Sequence, residues 1–463
     1  MALSSTSQKE SGLAINAALG LIGQAVNLGF VLIAYIWFVW SGQNDIASFW
    51  LVLSLLISLI QQADFGFQIS LSRSLSFVMG GAQRLETIGV HNQAQVNNGE
   101  FEVNQDLAGN VLRASRFVYA RLSFATVCLG CPLGYFYLLN VLTNLSETDL
   151  IITWTIVIIA MFFNFRFSHF NVALFGYSRV REWYLSIIIN RLTFLVFLII
   201  ISNFDIGLSG VAICFLVGVL CGKFYAFWAS KDIFKRFNVT KASYDDLKDV
   251  LSAILPNTLR LGLISISAYI SLKIGALILS SAVGAEAAEP INFWSSLFIA
   301  ALALSSSFAN IRVPKLAQLW VTDEKLSIRQ EVVWIYSRAT ATFLGSVGVI
   351  FLLIYSLLEI THIEVPILEE KWLILLFLIY FFELGHSLAC IIISSGNILP
   401  FMAGSVLSGI FIAILSFFLI PFFGGPAVII SQGLVQLSYN NWRWPLYLSR
   451  SLSSISGGKN AKK

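Results

Sequence analysis

Residues Arg179 to Arg236 read RVREWYLSIIINRLTFLVFLIIISNFDIGLSGVAICFLVGVLCGKFYAFWASKDIFKR. Two apolar runs, 182–202 and 207–229, each approach the ~20 residues that a helix needs to cross a bilayer. The connection between them holds a single charge, Asp205. The outer flanks hold bases: Arg179 and Arg181 before, and Lys231, Lys235 and Arg236 after. Basic connections stay on the cytoplasmic side, so this is a helical hairpin with both ends inside and its tip outside. Two bases, Arg191 and Lys223, lie within the apolar runs, where a charge costs at least ~2.5–3.5 kcal/mol by insertion scales.

The same sorting extends along the chain. Acid-only connections carry Asp45; Glu147 and Asp149; Asp205; Glu286 and Glu289; and Glu359, Glu364, Glu369 and Glu370. The alternate connections carry most of the remaining bases, among them Arg84, Arg113, Arg116, Lys241, Lys248, Arg312, Lys315, Lys325, Arg329, Arg338, Arg443 and Arg450. Hydropathy places spans at 12–40, 47–72, 112–140, 149–176, 182–202, 207–229, 257–282, 290–311, 333–358, 371–395, 399–420 and 424–441. Open strands cannot cross lipid, so the spans are helices and the fold is all-α and polytopic, with about twelve of them. An even number puts both termini inside, in the cytoplasm, and the basic tail agrees.

Composition supports this. The chain of 463 residues is 57% hydrophobic and 12% charged; a soluble domain has roughly twice that charged share. The net charge of +4 fits an anionic membrane surface and gives no reason to expect nucleic acid. The first run is too long for a signal-peptide core and reads as a retained helix. Cys128 and Cys131 form a CxxC within an apolar run, without a second pair or a nearby His, and packing is the expected role. No GxxxxGK[ST], HExxH or GxSxG motif occurs, so the sequence points to no P-loop ATPase and no enzyme, and it implies no cofactor or metal.

Domain organisation follows from the rhythm of spans. Residues 1–229 form a first six-helix lobe, with a cytoplasmic loop at 74–111 rich in Gln, Asn and Gly. Residues 257–441 form a second lobe, and 442–463 a basic tail. Residues 230–256 join the lobes; there Asp245, Asp246 and Lys248 alternate with Leu247, Val250, Leu251, Ile254 and Leu255, the pattern of an interfacial amphipathic helix. Ala47-Ser48-Phe49-Trp50-Leu51 and Ile291-Asn292-Phe293-Trp294-Ser295 open equivalent spans of the two halves. This suggests parallel repeats.

Three stretches carry a family resemblance. The second span ends in Asp64-Phe65-Gly66-Phe67 and then Arg73. Leu174-Phe175-Gly176-Tyr177-Ser178-Arg179 leaves the fourth. Val313-Pro314-Lys315-Leu316-Ala317-Gln318-Leu319 follows the eighth. Together they resemble the polysaccharide and O-antigen flippases of the multidrug/oligosaccharidyl-lipid/polysaccharide (MOP) exporter superfamily. The resemblance implies a MATE-like fold of two six-helix lobes around a central cavity. It also implies passage of a lipid-linked oligosaccharide from the inner to the outer leaflet of the bacterial inner membrane.

The buried charges fit such a task. Arg166, Arg191 and Lys273 fall near mid-span; Arg121 and Lys223 lie in inner halves, and Arg260 near an inner end. A cationic cavity of Arg121, Arg166, Arg191, Lys223 and Lys273 would attract a diphosphate, Arg by bidentate contact and Lys as a point charge. Snorkelling to the headgroups is the competing reading for Arg121, Lys223 and Arg260. Asn164, His169 and Asn171 crowd the fourth span, as cavity lining or as interhelical glue. Tyr269 lies one turn before Lys273, to hold a sugar or simply to pack. Glu383 and His386, three residues apart, are either a proton-coupling pair or a counter-ion for Lys273. Asp64 is expected to cap a helix or bridge to Arg73.

The substrate expected is therefore a polyprenyl-diphosphate-linked oligosaccharide, moved by alternating access. Membrane lipids and the glycan polymerase and chain-length machinery are the further partners. A cation-coupled multidrug exporter of the same superfamily would favour acids over the basic excess found here. A membrane glycan polymerase or ligase would need a catalytic cluster in the outer loops, which hold only His362 beside acids. A scaffold without transport is the remaining alternative.

Overall fold

The computed structural model describes residues 19, 22–23, 25–27, 29–79, 82–85, 96–97, 100–101, 103–141, 146–201, 207–237, 244–321, 325–361, 366–395 and 398–453. The fold is all-α; among the described residues the only strand pairing joins Val96–Asn97 to Glu100–Phe101. Among the described residues, ten helices are long and apolar enough to cross a membrane. Two expected spans are not among the ten. One is α1 (Gly29–Trp40), which is short within the described residues. The other is the helical stretch 426–453, whose Gln432, Gln436, Asn440 and Asn441 dilute its apolar run.

The chain divides into two compact units, Met1–Ala34 with Asp45–Ile266, and Tyr35–Asn44 with Ser267–Lys463. The first unit holds α1 as far as Ala34, then α2 (Asn44–Gln61) from Asp45, α3 (Phe67–Met79), α4 (Gln105–Ala125), α5 (Cys131–Val141), α6 (Glu147–Arg166), α7 (Ser168–Gly176), α8 (Val180–Ile201), α9 (Gly207–Arg236) and α10 (Tyr244–Tyr269) as far as Ile266. The second holds α11 (Gly275–Val283), α12 (Ala285–Val321), α13 (Lys325–Thr361), α14 (Glu370–Ser395), α15 (Met402–Phe423), α16 (Pro426–Val435) and α17 (Asn441–Ser453). Single π-turns at Thr126–Gly130, Ile270–Ile274 and Gln436–Asn440 interrupt otherwise continuous helices.

Several boundaries differ from those read in the sequence. Hydropathy stops where charge begins, but a helix runs on into the interface. Residues up to Arg236 extend the sixth span, and α10 is continuous with the seventh. The stretch 230–256 is therefore not one separate linker. Its amphipathic face is real: Leu247, Val250 and Ile254 are buried, while Asp246, Lys248 and Asp249 are exposed. The 74–111 loop is likewise shortened from both sides, because α3 runs to Met79 and Asn104 caps α4 by accepting from the Leu107 N–H at 3.0 Å. Most of that loop, and the tail beyond Ser453, lie outside the described residues.

Lys371 breaks the sorting of charges at the acidic end of α14, where it pairs with Glu369. Cys128 and Cys131 are exposed on the outside of their helix, which corrects the expectation that they pack within the protein. Phe224 is 71% exposed and Phe422 81%; such surfaces suit lipid, since water would penalise them.

The two Phe-Trp repeats are buried in the same manner. Trp50 donates its indole N–H to the Val31 carbonyl, and Trp294 donates to the Pro366 carbonyl, each at 3.0 Å. The Asp64-Phe65-Gly66-Phe67 motif is the break between α2 and α3. Phe65 and Gly66 take φ of 48° and 75°, a left-handed conformation that favours glycine. A Cβ on Gly66 would also lie 3.1 Å from the Leu261 side chain, and one on Gly262 would lie 2.4 Å from the Phe65 ring. The break therefore seats on α10.

Candidate functional site: a buried cationic cluster

The approach of α8 to α9 builds the site. Gly218 and Gly222 form a small-xxx-small pair on α9. A Cβ on Gly218 would meet the Asn190 carbonyl at 2.6 Å, and one on Gly222 the Ser186 carbonyl at 2.7 Å. In lipid, where apolar burial cannot drive helices together, such close backbone contact is a main source of association. It brings Arg191, beside Asn190, and Lys223, beside Gly222, into the interior of the first unit. Both are buried, at 9% and 7% exposure.

Each base rests on neutral groups. Arg191 Nε donates to Asn27 Oδ1 at 3.0 Å, and its guanidinium carbon lies 3.9 Å from the Phe30 ring centre. Phe30 meets Trp50 and Phe194 edge-on, and those two rings stack at 5.2 Å. A cation over an aromatic face gains ~2 kcal/mol or more once desolvated, less than a full charge loses on leaving water. Lys223 Nζ donates to Ser168 Oγ at 3.0 Å, and Ser168 Oγ donates to the Asn164 carbonyl at 2.7 Å. Ser168 is placed by the break at Phe167 between α6 and α7.

One carboxylate stands nearby. Among the described residues, Asp64 and Arg191 are the charges that act on Lys223. Asp64 is already committed: Oδ1 accepts from the Tyr119 hydroxyl at 2.6 Å, and Oδ2 from the Gln68 N–H at 3.1 Å. The second contact caps the first turn of α3, whose N–H groups lack helical partners. Asp64 is thus the expected cap; the partners the structure gives it are Tyr119 and Gln68 rather than Arg73. Positive charge continues on the other side. Arg116, Arg166 and Lys223 all act on His169. His169 Nδ1 lies 3.0 Å from the Arg166 carbonyl, which can only accept, so that nitrogen carries the proton. Its ring packs on Phe170 and Phe234.

The residues singled out from the sequence thus separate. Arg191, Lys223, Asp64, His169 and Arg166 gather in the first unit. Asn164 contributes its backbone carbonyl. Asn171 presents a buried Oδ1 with no hydrogen-bond partner among the described residues. Arg121 does not join them: it is exposed and lies over Phe117 of its own helix, 3.4 Å from the ring centre.

Lys273, Tyr269, Glu383 and His386 belong to the second unit. Lys273 sits in the π-turn Ile270–Ile274, its Nζ 5.8 Å from the Tyr269 ring centre, and the turn packs against α15. Glu383 and His386 are both buried on α14, with Oε1 and Nδ1 3.0 Å apart. The hydrogen-bond partner of Glu383 is therefore His386, one turn along the same helix.

Tyr119, Asn27 and the aromatic seat of Phe30, Trp50 and Phe194 were not foreseen. Asn27 was open to suspicion as a polar residue in the first apolar run, but nothing in the sequence joined it to Arg191, 164 positions away. Among the described residues, no three His, Cys, Asp or Glu side chains gather as metal ligands.

No protein-family model matches the sequence, and the search of curated proteins finds no match. Solved structures do match across nearly the whole chain. An inward-facing multidrug resistance MATE family transporter of the MOP superfamily superposes with a TM-score of 0.67 at 11% identity, covering 96% of this chain and 99% of that one. An outward-facing transporter of the same description gives 0.63 at 14% identity, covering 95% of each chain. A MOP superfamily transporter from Pyrococcus furiosus, described as having a binding pocket of reverse polarity that suggests a different function, gives 0.61 at 14%, covering 96% of each. At these identities the likeness establishes the fold: the chain is a multi-pass membrane protein with the fold of MATE transporters of the MOP superfamily.

Proposed function

We propose that the protein is a flippase for a polyprenyl-diphosphate-linked oligosaccharide, carried from the inner to the outer leaflet by alternating access. The observation that carries this reading is that, among the described residues, the hydrogen-bond and ring contacts of the two buried bases Arg191 and Lys223 are to neutral groups, while Asp64, the carboxylate that acts on Lys223, is already held by Tyr119 and Gln68. Buried charges are tolerated when an opposite charge meets them. An incoming diphosphate supplies it. Arg191 offers a planar fork to one phosphate, Lys223 a point charge to the other, and Ser168 and Asn27 hold both side chains in place. The Phe30, Trp50 and Phe194 rings fix the guanidinium orientation. Binding-pocket polarity has been linked to a different function in a MOP transporter of similar fold. In this reading the protein works in the bacterial inner membrane with its termini in the cytoplasm, beside the machinery that polymerises the glycan.

Cation-coupled multidrug export is the second reading. The half-buried Asp64 and the buried Glu383 favour it, and similar structures include multidrug resistance transporters. Cells lacking the chromosomal copy, complemented with wild type or Arg191→Ala, separate the two. The flippase reading expects surface glycan to be restored by the wild type and lost with Arg191→Ala at equal membrane protein level, and resistance to cationic dyes to be unchanged. Dye efflux without any glycan phenotype would refute it.

A further inference from the structure

The outer surface of α8 and α9 carries a second, separate feature. A groove of about 540 Å³ is lined by Ile189, Leu220, Cys221 and Phe224, and ends at Tyr225 and Trp228. A second cavity of about 400 Å³ begins at the same Tyr225 and Trp228 and is lined by Arg179, Lys231, Lys235, Glu182 and Asp232. One continuous track thus runs from wholly apolar, through an aromatic pair with ring centres 6.2 Å apart, to charged. That order is the cross-section of half a bilayer: acyl chains, the interfacial Tyr and Trp belt, then headgroups.

The charged end is built rather than scattered. Arg179 donates from one terminal nitrogen to the Ala229 carbonyl at 2.8 Å and to Asp232 Oδ1 at 3.0 Å, and its other nitrogen pairs with Asp232 Oδ2. This clamp neutralises Asp232 and fixes the end of α9. Arg236 is drawn aside to the Tyr177 hydroxyl at 2.7 Å. Lys231 and Lys235 remain exposed over the cavity, facing Glu182. Three bases against two acids leave the lining one positive charge in excess.

We infer that this track is a binding site for an anionic glycerophospholipid of the inner leaflet. One acyl chain lies along Leu220 and Phe224, the glycerol backbone passes between Tyr225 and Trp228, and the phosphate rests on Lys231 and Lys235. A headgroup of single negative charge matches the lining, and the hydroxyls of a phosphatidylglycerol headgroup can donate to Glu182. Basic pockets at the cytoplasmic ends of spanning helices bind anionic headgroups on the same physical grounds. The site does not depend on the proposed substrate, because its groove opens on the lipid-facing side of Phe224 and Trp228, which are 71% and 64% exposed.

The test is native mass spectrometry of the full-length protein released from bilayers of equal phosphatidylglycerol and phosphatidylethanolamine. Wild type is expected to retain phosphatidylglycerol preferentially. Lys231→Ala with Lys235→Ala should lower that preference about thirtyfold, from about fivefold per lysine near an anionic headgroup. Leu220→Trp, which fills the groove, should remove the adduct while leaving the lysines in place. Equal retention of both lipids by wild type would overturn the inference, as would unchanged retention in both variants. Displacement of the phosphatidylglycerol by a soluble short-chain polyprenyl diphosphate would also overturn it, assigning the groove to substrate instead.

Discussion

The two units bury charge in opposite ways. In the second, the carboxylate of Glu383 meets the imidazole of His386, one turn away on the same helix. That contact forms within a single element, while Glu383 Oε2 and His386 Nε2 are buried without a hydrogen-bond partner among the described residues. In the first, Arg191 and Lys223 are gathered from two helices onto an amide, a hydroxyl and an aromatic ring. Asp64, the carboxylate that acts on Lys223, is held by Tyr119 and Gln68. An acid and an imidazole that meet on one helix stabilise that helix locally. A set of bases seated on neutral groups keeps its charge available to a ligand, at a standing cost in stability.

The largest expected effect that would break this contrast is on transport. Arg191→Ala and Lys223→Met should each lower glycan export by about ten- to a hundredfold, the loss of one charge-assisted hydrogen bond to a phosphate. Protein level in the membrane should hold, since each change removes a buried charge whose direct contacts among the described residues are to neutral groups. Arg191→Lys should retain part of the activity, because charge remains and only the planar fork is lost. Export assays normalised to membrane protein level provide the check; wild-type export from Lys223→Met would remove that residue from the site.

The second unit should respond in stability rather than in charge selectivity. A double-mutant cycle on Glu383→Gln and His386→Phe, read by thermal unfolding in detergent, should show coupling of about 1–3 kcal/mol. The cycle of Glu383→Gln with Lys273→Met should be additive to within about 0.5 kcal/mol. Strong coupling to Lys273 and none to His386 would reverse the contrast drawn here.

A smaller effect belongs to the helix contact that gathers the bases. Gly222→Ala places a methyl 2.7 Å from the Ser186 carbonyl and should cost about 1–3 kcal/mol by overpacking. The shift should also move Lys223 away from Ser168. Unchanged melting would mean that α8 and α9 have room to separate.

Much of the fold was legible because lipid allows few solutions. Asp205 between two apolar runs, with bases at both far ends, is sufficient to write a hairpin. What hydropathy could not see was continuity: Tyr244 to Ile254 is too polar to count as a span, yet its helix bonds run on into the seventh. The candidate site was half legible. Arg191 and Lys223 stood out because a base in an apolar run is expensive. Their surroundings did not, because Asn27, Tyr119 and Trp50 are ordinary residues until the fold brings distant spans together. Arg121 shows the opposite error. Its position in the inner half of the third span was read correctly, but depth does not say which way a side chain faces, and it points outward. Helical periodicity is a weak guide here, since lipid-facing and protein-facing sides of a span are both apolar.

The most direct test of the central claim is translocation in proteoliposomes holding the purified protein, with a headgroup-labelled polyprenyl-diphosphate glycan in one set and a cationic dye in the other. The account predicts that wild type moves the glycan across the bilayer, that Arg191→Ala with Lys223→Met abolishes this movement, and that the dye is not carried by either protein. Dye transport that persists in the double variant, with no glycan movement by wild type, would contradict it.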